Sequence, residues 1–187
     1  QAFANKEDEC GFNGTGASTY GGIVGVLNKV AAGSIVTAAT GNTAFSTLDL
    51  ADFEGLVGKL PQYAEANAKW YISRAGFYAS MARLMDAGGG NAIADLEGGT
   101  RARLFLGYPV VFAQVLNSTL TAQTSTNILA FGDLQKGAIL GNRRGMSVMI
   151  SEHAYFENDQ LAIRGTERFD INVHETGTAT EAGAILV

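Results

Sequence analysis

The chain has 187 residues, of which 47% are hydrophobic, and this is enough for one domain with a real core. Its formal net charge of −5 argues against a nucleic-acid-binding surface, because binding phosphates requires clustered Lys and Arg. No run of about 18 apolar residues occurs, so the sequence predicts no membrane span.

The N-terminal residues predict a polar-faced helix over residues 1–10. We interpret Gln1 as a cut edge, because the segment that begins there resembles the end of a longer helix. The segment does not resemble a signal peptide. Cys10 is the one cysteine, so no internal disulfide can form, and we expect a buried, inert thiol. The glycines of residues 11–16 break the helix.

Two further helices are predicted in the first half. The first has a weak capping box of Ser46 and Asp49 and ends at Pro61. Its apolar face follows the i, i+3, i+4, i+7 spacing of Phe53, Leu56, Val57 and Leu60. A short strand, residues 69–72, precedes the second helix, for which Ser73 is the N-cap. That helix buries Phe77, Met81, Leu84 and Met85 and stops at Gly88, Gly89 and Gly90.

The second half predicts strands. Residues 104–106 and 110–112 flank a turn at residues 107–109, residues 117–127 form an exposed loop, and residues 128–131 form another strand. Met146, Val148 and Ile150 alternate with less apolar neighbours, which is typical of a half-buried strand. A turn at residues 158–159 leads into a long strand, residues 160–173, bent near Gly165, and residues 184–187 close the sheet. Helices followed by a run of strands indicate an α+β architecture.

The sequence contains few residue patterns that are typical of a catalytic site. Gly11-x-x-Gly14-x-Gly16 is glycine-rich, but it lacks the strand before it and the helix after it that a dinucleotide site needs. His153 and His174 are not in metal-ligand spacing. We therefore predict no enzyme, no catalytic residue, no metal and no cofactor, and we keep a small enzyme that uses the glycine loop or a histidine as the least favoured alternative.

Charged residues of both signs interleave near the C-terminus. In one interpretation they form a solvated strand face with weak pairs, each worth about 0–1 kcal/mol. In the other they are subunit-contact residues whose complementarity sets register and partner choice. The candidates are Arg143, Arg144, Glu157, Asp159, Arg164, Glu167, Arg168 and Asp170.

Several segments, in this order, resemble the tailed-phage major capsid proteins with the Hong Kong 97-type shell fold. NKEDECGFNGTG followed by GGIVGVL is similar to the end of that family's spine helix and the glycine turn after it. AKWYISRAGFYASMARLMDAGG is similar to its strand-helix unit, and LGYPVVF and FGDLQKGAILGNRRG to its Gly-Tyr-Pro-Val and Gly-Asp-Leu segments. MSVMISEHAYFENDQLAIRGTERFDINV resembles the returning strands of its peripheral domain.

The resemblance implies an axial domain, residues 20–140 with the C-terminal strand 182–187, around the five-fold and six-fold positions of an icosahedral shell. Loop 117–127 would lie near the capsomer axis. Residues 1–16 and 145–175 would belong to the peripheral domain. The family's N-terminal arm, extended loop and most of its spine helix have no counterpart here.

The implied function is a major head protein that assembles with itself into pentameric and hexameric capsomers, with other head proteins as further partners. Its shell would enclose phage DNA without sequence-specific binding, and the chain would be made in the bacterial host cytoplasm and end in the virion capsid. The alternative is an encapsulin-like nanocompartment shell protein. We expect the charged strands to set register without a large exposed apolar patch.

Overall fold

The computed structural model describes residues 1–88 and 103–187, apart from the side chains of residues 152, 155 and 156. Its helices are α1 (Ala2–Asn13), α2 (Val26–Lys29), α3 (Leu50–Lys59), α4 (Gln62–Glu65), α5 (Arg74–Phe77), α6 (Arg83–Ala87) and α7 (Leu134–Gly137). A π-helical turn, Tyr78–Ala82, joins α5 to α6, and 3-10 turns span Ser18–Tyr20, Ala32–Ser34 and Phe156–Asn158. Among these residues, none of the helices is long and apolar enough to cross a membrane.

The strands form one mixed sheet and one separate ribbon. They are β1 (Lys69–Ile72), β2 (Leu104–Phe105), β3 (Tyr108–Phe112), β4 (Ala130–Gly132), β5 (Ala138–Tyr155), β6 (Gln160–Val173) and β7 (Ile185–Leu186). The sheet order is β2-β3-β1-β4-β7, and β5 pairs with β6 alone. β1 runs parallel to β3, and the other neighbours in both sheets are antiparallel.

Strand β1 lies at the centre of the body because both of its faces are buried. Trp70 and Ile72 point into a core formed with α3 and the helix that follows β1, whereas Tyr71 packs into a second core with Val173 and Val187. The Trp70 ring stacks on Phe131 at a centroid distance of 4.0 Å. The indole Nε1 donates a hydrogen bond to the Phe105 carbonyl at 3.0 Å, so the buried ring leaves no polar atom unpartnered.

Burial also perturbs the Tyr71 phenol. Desolvation, together with the nearby charge of Asp133, raises the pKa of Tyr71 to about 12. The phenol is therefore neutral across the physiological range. Residues 69–72 thus form the strand that the sequence predicts, with a burial pattern typical of a central strand.

Local hydrogen bonds confirm one predicted cap and correct another. The Ser73 hydroxyl accepts a hydrogen bond from the Gly76 amide at 3.1 Å, as predicted for an N-cap. The capping box of α3 is formed by Asp49 and Asp52, whose carboxylate accepts from the Asp49 amide at 3.0 Å. Ser46 is not the cap, because Asp49 is the residue directly before the helix and competes better for its free amides.

The structure moves three predicted boundaries. Helix α1 continues through Gly11 to Asn13 and ends at Gly14. The turn between β2 and β3 is Leu106-Gly107, both with positive φ, so Phe105 pairs with Tyr108 in a tight hairpin. Strand β4 begins later than predicted. Gly89 and Gly90, two of the glycines predicted to end the second helix, lie outside the described residues.

Two predicted features of the C-terminal half are confirmed in outline. Residues 117–127 form no helix or strand and are mostly exposed. The last residues close the sheet, because Leu186 pairs with Phe131 in β4. The chain is therefore an α+β protein with the edge strand β7 supplied by its C-terminal residues.

Gly132 tests this closure of the sheet. Its φ is +139°, and a Cβ at this position would collide with the Ala184 carbonyl oxygen and approach Ile185 Cα at 3.0 Å. We expect Gly132→Ala to lower the free energy of unfolding by about 2 kcal/mol or more. Gly58→Ala is the control, because a Cβ on this helical glycine would have no neighbour within 4 Å, and it should stabilise by about 0.5–1 kcal/mol. Urea unfolding of both variants measures the difference, and equal effects would contradict the steric argument.

Candidate functional site

The ribbon of β5 and β6 is the candidate functional surface. Its strands pair from Ala138 with Val173 at the base to Tyr155 with Gln160 at the tip. At about 3.3 Å per residue, it is about 45 Å long. The tip turns through Phe156–Asn158 and Asp159, whose φ is +51°, and this confirms the predicted turn.

The register defines two faces of the ribbon. Each of its three register shifts adds residues to β5, so β6 keeps its strict alternation. Ile150 lies opposite Ile163 and Val148 opposite Gly165, which places the larger aliphatic side chains on one face. We call Val148, Ile150, Leu161 and Ile163 the apolar face.

The apolar face is uncovered. Its four side chains are between 55% and 72% exposed, and Met146, which precedes them on β5, is 61% exposed. The prediction of a half-buried strand is therefore wrong for the single chain. The alternation is present, but no described residue of the same chain covers it. The expectation that the strands would avoid a large exposed apolar patch is also wrong.

This exposure has an energetic consequence. An isolated two-stranded ribbon is only marginally stable in water, and each aliphatic side chain left uncovered forgoes about 1.5–3 kcal/mol of burial free energy. Contiguous exposed apolar surface of this kind marks a contact with another macromolecule. The ribbon is thus built to be covered by something beyond the described residues.

Helix α1 covers the base of the same face. A Cβ on Gly165 would lie 2.9 Å from the Phe3 ring, and one on Gly11 would lie 3.4 Å from Ile171 Cδ1. Gly165 and Ile171 share the face of β6 that also carries Leu161 and Ile163. The helix therefore packs along the ribbon from near its base, at Ile171, to beyond its middle, at Gly165, and leaves Ile150, Leu161 and Ile163 free.

Four of the eight predicted contact residues meet in the middle part of the ribbon. Arg144, Arg164, Glu167 and Arg168 line a concavity of about 550 Å³ with Phe3. Arg144 lies directly opposite Arg168, an arrangement in which like charges repel.

The other four predicted residues lie elsewhere on the ribbon. Glu157 and Asp159 are at the tip, Asp170 is opposite Gly141, and Arg143 is in the first register shift. All eight are exposed except Glu167, which is half-buried. Within the described ranges the ion pairs are Lys6–Glu9 and Asp133–Lys136, so none of the eight is neutralised by a described partner.

In the glycine-rich segment after α1, backbone amides donate hydrogen bonds to nearby backbone carbonyl groups. The Gly14 amide donates to the Cys10 carbonyl, Gly16 to Ile23, and Gly25 to Gly14, at distances of 2.9–3.2 Å. A Cβ on Gly14 would lie 2.6 Å from the Ile23 carbonyl oxygen. These glycines permit close backbone packing, and the bonded amides do not form the open cradle that a phosphate requires.

A groove of about 530 Å³ lies between the loops 35–45 and 123–129. Its titratable lining residue is Asp52. Burial raises the pKa of Asp52, but hydrogen bonds from the amides of Ala39 and Asp49 and from the Asn42 side chain outweigh it and hold that pKa below its ordinary value. The hydrogen bonds of this carboxylate therefore stabilise the loop and the N-cap of α3.

The histidines and the cysteine, which could take part in catalysis or bind a metal, lie apart from one another. His153 is exposed on β5, and His174 Nδ1 is buried without a hydrogen-bond partner among the described residues. Cys10 is 2% exposed, and burial raises the pKa of its thiol. Among residues 1–88 and 103–187, no group of His, Cys, Asp and Glu has the arrangement of a metal site.

The comparisons agree with this architecture. The model of the phage capsid family matches residues 1–177. Two similar solved structures are described as the capsids of a native and an empty GTA particle, each computed with C5 symmetry. Both are 20% identical over 99% of the chain, with TM-scores of 0.73 and 0.67, respectively. The chain spans about three fifths of their length, 60% and 61%, and no curated protein matches it.

The fold is that of capsid shell proteins, and in this chain it consists of an α+β body with a long two-stranded ribbon. The chain belongs to the phage capsid family. The predicted Hong Kong 97-type fold and the predicted class of structural protein are thereby confirmed. No comparison favours an encapsulin-like shell or a small enzyme.

The uncovered ribbon leads to a prediction about hydrogen exchange. Amides of residues 147–151 and 161–166 should exchange much faster than those of β1, because opening the ribbon exposes little buried surface whereas opening β1 disrupts both cores. Mass spectrometry of the unassembled chain measures both sets. Equal protection would show that the ribbon is stabilised within the single chain.

Proposed function

We propose that the chain is the shell-forming part of a major capsid subunit that assembles with copies of itself into an icosahedral virion wall around DNA. The observation that carries the proposal is the uncovered apolar face. A neighbouring copy would bury it, and repetition of that contact under closed symmetry would build rings and then a shell. The C5 symmetry used for the two GTA capsids fits pentameric rings, and hexameric rings would use the same surfaces.

The body and the ribbon would have different roles in the subunit. The body, residues 20–140 with strand 182–187, would form the axial domain around the capsomer axis, with loop 117–127 towards that axis. Residues 1–16 and 145–175 would form the peripheral part. The proposed boundary at residue 145 falls inside β5, so the two parts share one continuous strand.

The contact with DNA would be unspecific. The net charge of −5 favours an inner wall to which DNA does not adhere. Other head proteins would be further partners, and synthesis would take place in the cytoplasm of a bacterial host. We also propose that the subunit acts as a structural protein and not as an enzyme, which the match to the phage capsid family supports.

Assembly tests the proposal through the apolar face. Ile163→Glu places a charge where the neighbouring copy would bury an aliphatic side chain, and burial of an unpaired charge is strongly unfavourable. We expect this variant to remain folded and to lose ring or shell formation, measured by light scattering and negative-stain microscopy on the variant and on the wild-type chain.

Leu50→Glu is the matched control. Leu50 is also exposed, but it lies at the first position of α3, where a carboxylate is favourable. It should assemble like the unmodified chain. Loss of assembly in both variants would show that the ribbon is not the specific contact, and unaffected assembly of Ile163→Glu would overturn the proposal for this face.

The eight charged residues are proposed to complete the contact between subunits. Three arginines around one concavity, without ion pairs to described residues, present a surface complementary to an acidic segment of a neighbouring copy. Glu157 and Asp159, at the tip of the neighbouring ribbon, are candidates for that segment. Such charges set register and association rate more than they set affinity.

Charge reversal at Arg164 tests this second part. Arg164→Glu should slow assembly by about tenfold at low salt, with a smaller effect at high salt because exposed charges are screened. Lys59→Glu, on α3, changes the net charge equally and should have little effect. Light scattering at several salt concentrations measures the rates, and a salt-independent or equal effect of both variants would contradict a specific charged contact.

A further inference from the structure

The contact between α1 and the ribbon contains two carboxyl groups that face each other. Phe3, Glu7 and Gly11 lie at i, i+4 and i+8, on one stripe of α1. Opposite them on one face of β6 are Gly165, Glu167 and Ile171. The outer positions pack closely, so the middle pair, Glu7 and Glu167, is held between two fixed contacts.

The Glu7 and Glu167 side chains are within hydrogen-bonding reach of each other. Glu167 Oε2 is buried, and no donor from the described residues reaches it. Two ionised carboxylates cannot bond to each other, because each is only an acceptor. One proton between them supplies the missing donor and removes the repulsion.

We propose that Glu7 and Glu167 form a proton-dependent latch between α1 and the ribbon, closed when Glu7 is protonated and donates a hydrogen bond to Glu167 and loosened when Glu7 is ionised. The groups around the pair do not neutralise it. Asp8 lies beside Glu7 on α1 and adds negative charge. On the ribbon, Arg144, Arg164 and Arg168 line the same concavity as Glu167 but form no ion pair with it.

The direction of the pH dependence follows from linkage. Burial, then the charges of Glu167 and Asp8, and the hydrogen bond to Glu167 raise the pKa of Glu7. A carboxyl group whose pKa is higher in the folded state binds more protons there than in the unfolded state. Its stabilising contribution is therefore fully present below the ordinary pKa of glutamate and is lost as the pH rises through the raised pKa.

Helix α1 covers the part of the ribbon next to the apolar face. An open latch would let α1 move and would change the surface offered to a neighbouring copy. This consequence rests on the proposed function, whereas the latch itself is a property of the single chain. A test on the unassembled chain therefore separates the two proposals.

Cys10 provides a natural probe of α1, because it is the one cysteine in the chain and is buried on this helix. We would measure the rate at which a dipyridyl disulfide labels it, from about pH 4.5 to about pH 8, the range over which a raised carboxyl pKa is titrated. Each rate is divided by that of the same variant in denaturant, which removes the intrinsic pH dependence of the thiol.

Glu167→Gln is the decisive variant, because its amide donates a hydrogen bond to Glu7 at every pH. The wild-type chain should label at nearly the same rate as this variant at the acidic end and at least about threefold faster at the basic end. A ratio that stays constant with pH would overturn the latch. Glu54→Gln, an exposed position on α3, should leave the wild-type pH profile unchanged.

Two further measurements keep the test independent of folding defects and of how Cys10 is shielded. Glu7→Gln should reproduce the effect of Glu167→Gln, and the double variant should gain nothing more, because either amide alone completes the pair. Carbon-detected NMR should show that Glu7 titrates at a higher pH in the wild-type chain than in Glu167→Gln, because the variant removes the neighbouring charge and supplies a donor to ionised Glu7. An unchanged titration of Glu7 in that variant would contradict the latch.

Discussion

The structure depends on one constraint, which is that the ribbon cannot bury its own apolar face. A two-stranded ribbon has two faces and no second layer, so any aliphatic stripe on it must be covered from outside. Helix α1 provides this cover only as far as Gly165, which meets Phe3, while Gly11 meets Ile171 closer to the base. Beyond that point, Ile150 and Ile163 face solvent in the described chain. Under the proposed function, the stability of the ribbon and the association of subunits would be coupled, because a neighbour would close the surface that the chain leaves open.

The body can carry such a ribbon because its own core is complete. Trp70 lies between the aromatic rings of Phe53, Phe105 and Phe131, and its indole is hydrogen-bonded. Val173, at the end of β6, is buried in the second core beside β1. The base of the ribbon is thus anchored in the packed body, while its tip extends into solvent. This arrangement combines a packed support with an exposed surface that a neighbouring copy would cover under the proposed function.

The sequence predicts correctly the elements whose signals are local. The strand at Trp70 and the cap at Ser73 are correct because side-chain alternation and capping chemistry depend on a few neighbouring residues. The same alternation at Val148 and Ile150 predicts a strand. It does not indicate whether the residues that bury its apolar face belong to the same chain or to another. The Glu7–Glu167 pair was missed altogether, because the residues are far apart in sequence. The one available signal was the i, i+4, i+8 stripe of α1, and that stripe is equally compatible with an exposed helix face.

The glycine-rich composition by itself does not distinguish a phosphate-binding loop from a segment of tight backbone packing. A glycine-rich segment after a helix is compatible with a phosphate loop as well as with tight backbone packing. In this structure the amides of Gly14, Gly16 and Gly25 are bonded to carbonyl groups of the same segment, and a Cβ on Gly25 would lie 2.6 Å from the Phe12 carbonyl oxygen. The segment joins the end of α1 to the body through backbone contacts that larger residues would prevent. Its glycines thus hold α1, and with it the covered base of the ribbon, in a fixed position against the body, which is what a subunit that repeats one contact many times requires.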